Sequence, residues 1–394
     1  MMDLILRGGR VIDPANGIDR IADVGIAKGK IASVGDLSDA SATLVEDVTG
    51  ALVLPGLVDF HTHVYWGGTS LAVRAEPVAA KSGVTTMIDA GTSGASNFLG
   101  FRDHVIDRSD LRILAYLNIS YAGIFAWTPT LMFGECSDVR LLDPIECVRV
   151  AQENPDLIVG IKVRLGRFAS GGSGIAPLEM ALQVAEEAEL PVMAHIDFPP
   201  PGYRDVLMRL RPGDVLTHCY KPFPNSLLAK AGFVREDALL ARERGVIFDI
   251  GHGTASFGLR SSRGLLAAGF PPDIISSDVH AMSIDGGRFD LLTAMSKFLA
   301  LGLEVKDIVA AVTSAPAKAV SRSDFGDLTI GTQADITVLR LEEGSFTFRD
   351  AVGETIDSSR RFAFDRMFVA GQPWTWTEAP PRVSRKLSLR GCDC

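Results

Sequence analysis

The chain has 394 residues, which at ~150 residues per domain allows two or three domains or one large α/β barrel. Lys and Arg number 39 against 48 Asp and Glu, a net charge of −9 with no basic run to neutralise a phosphate backbone, so nucleic acid is not expected as a partner. A hydrophobic content of 47% is too apolar for disorder. No uncharged apolar run reaches the ~18 residues that would span a bilayer, so no membrane partner is expected.

The N-terminus, Met1-Met2-Asp3-Leu4-Ile5-Leu6, has an acid near its start and no small-residue cleavage site. It does not read as a secretory signal, and a cytoplasmic location is expected. Cys136, Cys147 and Cys219 show no framework spacing, which suits a reducing compartment. Cys392 and Cys394 either form a metal-binding or disulfide pair or belong to a frayed tail, residues 380–394. Residues 3–50 alternate short β-branched runs with turn signals such as Gly8-Gly9, Asp13-Pro14 and Asn16-Gly17. The same texture returns at 334–341, 345–348 and 366–369. The two chain ends, 1–52 and 329–379, are therefore expected to build one small β-sandwich domain around a central domain, 53–328.

The central part repeats an apolar, β-branched strand followed by a helical stretch. Candidate strands are 52–63, 84–90, 111–119, 158–165, 191–197, 214–220, 246–252 and 274–279, with helical spacing at 177–189 and 235–244 among others. Eight such units over about 260 residues match the size and order of a (β/α)8 TIM barrel. A doubly wound open sheet is the other reading, and it gives no reason for eight units. His61, His63, His195, His218, His252 and His280 all fall at or just beyond the C-terminal ends of these strands, whereas His104 falls in a helix. In a barrel those ends share one face, where active sites are built.

His61 and His63 flank Thr62, and the strand period of two puts both imidazoles on one side as a chelating pair. With His195, His218 and the carboxylate of Asp278 they point to a zinc-type site. Four imidazoles and a carboxylate exceed the three protein ligands of a usual catalytic zinc, so two ions are suggested. Ions ~3.5–4 Å apart need an anionic bridge, and the side chain available on the fourth strand is Lys162, which cannot bridge as a plain lysine.

Four motifs bear on this point: Leu6-Arg-Gly-Gly-Arg-Val-Ile-Asp-Pro-Ala-Asn-Gly17, Leu54-Pro-Gly-Leu-Val-Asp-Phe-His-Thr-His63, Ala315-Pro-Ala-Lys-Ala319 and Gly331-Thr-Gln-Ala-Asp-Ile336. Through them nearly the whole chain resembles the amidohydrolase superfamily, in its dihydroorotase and hydantoinase-like branch. The resemblance implies that CO2 carboxylates Lys162 and that the carbamate bridges two divalent ions, zinc by expectation, held by His61, His63, Lys162, His195, His218 and Asp278. A lysine of pKa ~10.4 is almost wholly protonated at neutral pH, but desolvation beside cations lowers that value and exposes the amine. The implied reaction is hydrolysis of an amide or ester, with Asp278 as both ligand and proton shuttle.

Within the superfamily, His218-Cys-Tyr220, residues 248–257 and Ser276-Ser-Asp-Val-His280 resemble a deacetylase group labelled dihydroorotase-like. True dihydroorotases carry Thr-Asp-His-Ala-Pro-His where this chain has Ser277-Asp-Val-His-Ala-Met282. The expected reaction is removal of an acetyl group from an N- or O-acetylated small carboxylic acid, either a hydroxy acid or an amino acid. Opening of a cyclic amide is the alternative. An inactive structural homologue is a third reading, against which the complete ligand set stands. Arg164, on the face of Lys162, either clamps a substrate carboxylate or forms a salt bridge at the rim. His252 and His280 either donate to substrate or support the ligands. Phe125, Trp127 and Phe133 in the long connection 121–142 suit a pocket wall or a subunit contact, and a homo-oligomer is expected.

Overall fold

The computed structural model describes residues 1–377 except 129, 230–231 and 285–289; the expected tail, with Cys392 and Cys394, lies outside the described residues. Near the N-terminus, alternating apolar residues and glycine turns form β1 (Met2–Asp13), β2 (Ile18–Ala27), β3 (Lys30–Gly35), β4 (Ala42–Asp47) and β5 (Leu52–Pro55). The central part contributes β6 (Leu57–Thr62), β7 (Val84–Gly94), β8 (Arg112–Asn118), β9 (Ile158–Leu165), β10 (Val192–Ile196), β11 (Val215–Leu216) and β12 (Ile247–Phe248). The chain ends with β13 (Ile336–Arg349), β14 (Thr355–Val369) and β15 (Gln372–Trp374).

Both ends of the chain meet in one mixed sheet of eight strands, ordered β15-β14-β13-β5-β1-β2-β3 with β4 also paired to β1. Strand pairing makes one continuous hydrogen-bonded sheet, and Lys30 bridges Gln333 so that the β3 edge turns back toward the start of β13. Leu4, Leu6, Val24, Ile26, Val53, Ile336 and Val338 bury the face that their period of two selects. The junction between β5 and β13 is antiparallel, with Val53 opposite Val338.

Strands β6 to β12 form a seven-stranded parallel sheet in sequence order, the core of a TIM-barrel-like domain. Every residue of β7 and β9 is buried, as expected of strands covered on both faces. The helix Ala176–Glu187 buries Leu178, Ala181, Val184 and Ala185, the three-and-four spacing of one face, and packs against β9. Helix Pro144–Glu153 starts where the Asp143 carboxylate accepts the Glu146 N–H at 3.1 Å, with Pro144 just inside. Among the described residues no helix is long and apolar enough to cross a membrane.

Four candidate strands differ from expectation in ways that matter for the site. Residues 52–63 divide at Gly56, whose N–H donates to the Asp335 carbonyl at 2.8 Å, so β5 joins the terminal sheet and β6 the barrel. The ladders at 214–220 and 246–252 shrink to two residues each. Residues 274–279 form no regular strand but bridge both sheet edges, Val279 to Thr62 and Ile274 to Asp249. At these strand ends His218 at φ 62°, Gly251 at φ 44° and Asp278 at φ 50° lie in the left-handed region, which a pleated ladder cannot follow. Such costly conformations in non-glycine residues concentrate at functional sites.

Candidate metal centre

Six sequence-selected side chains reach one place. The rings of His61 and His63 are 5.5 Å apart, His61 and His218 5.0 Å, and His195 and His218 4.4 Å, centre to centre. Asp278 Oδ1 lies 3.5 Å from His61 Nε2 and 3.3 Å from His63 Nε2. Ligand atoms of His61, His218 and Asp278 all fall within 4.8 Å of one another, and all three residues are buried. Lys162 is fully buried beside them, its Nζ 3.3 Å from Met193 Sδ.

The hydrogen bonds behind the rings decide which nitrogen faces the centre. Thr217 Oγ1 donates to Asp249 at 2.6 Å, so it accepts from His61 Nδ1 at 2.8 Å. Likewise Thr92 Oγ1 donates to Asp89 at 2.8 Å and accepts from His63 Nδ1 at 2.7 Å. His218 Nδ1 donates to the Gly251 carbonyl at 2.7 Å. Each of the three rings therefore carries its proton on Nδ1 and a lone pair on Nε2, the tautomer a metal ligand needs. His195 Nε2 is buried with no hydrogen-bond partner among the described atoms. A buried orphaned nitrogen is costly unless something else takes its lone pair.

Burial pushes the imidazoles of His61, His195 and His218 well below their usual range and His63 down to about 3, so all four are neutral at pH 7. Burial also lowers Lys162 to about 7, which leaves a substantial fraction as free amine. Burial raises the Asp278 carboxyl above its usual value. A donor set of neutral imidazoles, one carboxylate and a lysine that readily loses its proton fits divalent cations.

Backbone space is cleared for these groups. Gly91, at φ 82°, lies against the Lys162 stem, and a Cβ there would collide with Lys162 Cβ and Cγ. Gly253, at φ 47°, lies equally close to the Asp278 carboxylate. Asp59 accepts the Ser277 N–H at 2.9 Å and holds the turn that presents Asp278.

Above the cluster is a cavity of about 300 Å³ that includes all six of these groups with Arg164, Lys221, Asp197 and His280, walled by Leu71, Ile124, Trp127, Met132, Phe168 and Phe198. Arg164 and Lys162 share the face that strand periodicity selects. Arg164 Nη1 pairs with the fully buried Glu135 at 3.1 Å, and its guanidinium lies 4.3 Å over Trp127. His280 lines the cavity with its ring 6.2 Å from His63, and burial lowers it to about 4. His252 does not line the cavity: its Nε2 meets Lys297 Nζ at 2.8 Å and its ring stacks on Phe257.

Glu135, Asp249 and Lys221 were not singled out in the sequence. Asp249 stands in the strand-end motif that carries His252, which was a usable signal; Glu135 and Lys221 lie in connections without periodicity. Glu135→Ala would leave the buried Arg164 charge unpaired, and a loss of about 3–5 kcal/mol in guanidinium unfolding is expected. An unchanged midpoint would show that Arg164 finds another partner at no cost.

The chain belongs to the amidohydrolase family, which matches residues 52–207 and 218–373. It is 36% identical over 339 residues to deacetylase Atu3266 of Agrobacterium fabrum, covering 85% of this chain and 82% of the relative. Over 375 residues it is 34% identical to a deacetylase of Brucella anthropi, covering 94% and 91%. Among solved structures it is similar to an adenine deaminase, TM-score 0.88 at 32% identity over 95% of this chain and all of the other. A dihydroorotase gives TM-score 0.86 at 32% identity, covering 95% and 99%. The protein is thus a hydrolase of this family.

Proposed function

We propose that the protein removes an acetyl group from an N- or O-acetylated small carboxylic acid, at a centre of two divalent ions, zinc by ligand chemistry. His61, His63, His195, His218 and Asp278 would hold the ions, with Lys162 as its carbamate between them. The observation that carries this reading is the convergence of three Nδ1-tethered imidazoles, the orphaned His195 Nε2 and a buried carboxylate around a lysine lowered to about 7. When bound, such ions supply an activated water and polarise the scissile carbonyl.

The chain's own residues do the rest. Asp278, raised by burial and aimed at the His61 and His63 Nε2 atoms, accepts the proton released as water adds to the carbonyl, then returns it to the departing amine or alkoxide. Desolvation by the apolar walls strengthens each of these electrostatic contacts. His280 is close enough to the cluster to support substrate oxygens. His252, turned toward Lys297, supports the loop that carries residues 254–256 of the cavity wall.

The similarity to deacetylases over most of the chain supports acetyl removal, whereas the structural likeness to a dihydroorotase supports opening of a cyclic amide as the second reading. The test is a panel of N- and O-acetyl acids, dihydroorotate, hydantoins and adenine, incubated with zinc-loaded protein. Acetate release is expected. Ring opening or ammonia without acetate from any panel member would replace the deacetylase reading.

A further inference from the structure

Besides Lys162 of the cluster, the cavity contains two long cationic side chains, Arg164 and Lys221, and they are not equivalent. Arg164 is already neutralised, since its Nη1 is bound to the buried Glu135 carboxylate at 3.1 Å and its plane is covered by Trp127. Lys221 is different. Its Nζ donates to the Ile196 carbonyl at 2.8 Å, and among the described residues it forms no ion pair. An ammonium has three donors, so hydrogen-bonding capacity is left over. Asp197 also lines the cavity, but its oxygens accept the backbone N–H groups of Ala169 at 2.9 Å and Phe168 at 3.3 Å.

We infer that Lys221, rather than Arg164, is the residue that binds the substrate carboxylate and so determines specificity for acids over neutral analogues. The inference rests on the deacetylase reading above for the identity of the substrate. Ile196 follows His195 directly, so the Lys221 ammonium stands beside the ligand cluster. A carboxylate bound there is separated from the scissile bond by only a few atoms, as in an α-substituted acid. The rest of the acid then lies along Phe168, Phe198 and Trp127, which favours an apolar substituent.

N-acetyl-leucine and its carboxamide, N-acetyl-leucinamide, differ at this one group. With zinc-loaded wild-type protein the acid is expected to be preferred in kcat/KM by about 10- to 100-fold, the value of a hydrogen bond to a charged group. In Lys221→Met that preference falls to near one, mainly through a raised KM for the acid, and Lys221→Arg restores part of it. A wild type that releases acetate, with an acid-to-amide ratio unchanged in Lys221→Met, overturns the role of Lys221 and leaves the deacetylase reading standing. If neither compound releases acetate, the panel of acetyl acids above decides the deacetylase reading, and the pair is titrated calorimetrically as ligands of the same metal-loaded proteins. Tighter binding of the acid that is lost in Lys221→Met supports the carboxylate site; equal binding overturns it.

Discussion

Asp278→Asn is expected to lower turnover by about 10³- to 10⁴-fold while the protein retains its metal. Asparagine keeps the shape of the side chain and one carbonyl oxygen toward His61 and His63, but it cannot accept and return a proton. The left-handed turn at Asp278 tolerates asparagine better than most other residues, so the presentation of the group should survive. Acetate release measured beside metal content by atomic emission separates the two roles. Near-normal turnover at full metal content would remove the shuttle role, and loss of metal would show that ligation is the larger contribution.

Lys162→Met is expected to abolish measurable turnover and to lower the metal content from about two equivalents to one or fewer. Methionine matches the length of the lysine stem in its channel beside Gly91 and Met193, so folding should be preserved, as circular dichroism would check. The chemistry of the amine gives a second readout. Metal-free wild-type protein should take up zinc less completely in CO2-free buffer than with bicarbonate, because the carbamate supplies the anion between the ions. Two tightly held ions in Lys162→Met, or zinc uptake indifferent to bicarbonate, would exclude a lysine carbamate as the bridge.

The convergence of these side chains was legible because each sits at the end of an apolar strand, where a period of two sets which face a side chain takes. His61 and His63, Lys162 and Arg164 are pairs of that kind, and their common orientation needs only an extended backbone. His218 and Asp278 were legible by position alone. Their left-handed conformations, which shorten the neighbouring ladders, depend on contacts made elsewhere, such as the Gly251 carbonyl on the His218 ring. His252 occupies a strand end like the others, yet its ring is drawn to Lys297, 45 residues away, and no local pattern shows that.

Arg164 illustrates the same division. Its face follows from the strand, whereas its charge state toward a ligand follows from Glu135, 29 residues distant in a connection with no period. That Lys221 reaches the same cavity, with no ion pair to it among the described residues, is likewise a matter of where its connection folds and not of any local pattern. Order of strands, direction of side chains and type of ligand are local properties, encoded in residue type and spacing over a few positions. Which buried polar group meets which partner depends on where distant parts of the chain return, and on the low dielectric that makes an unmatched charge or lone pair expensive; packing alone settles that.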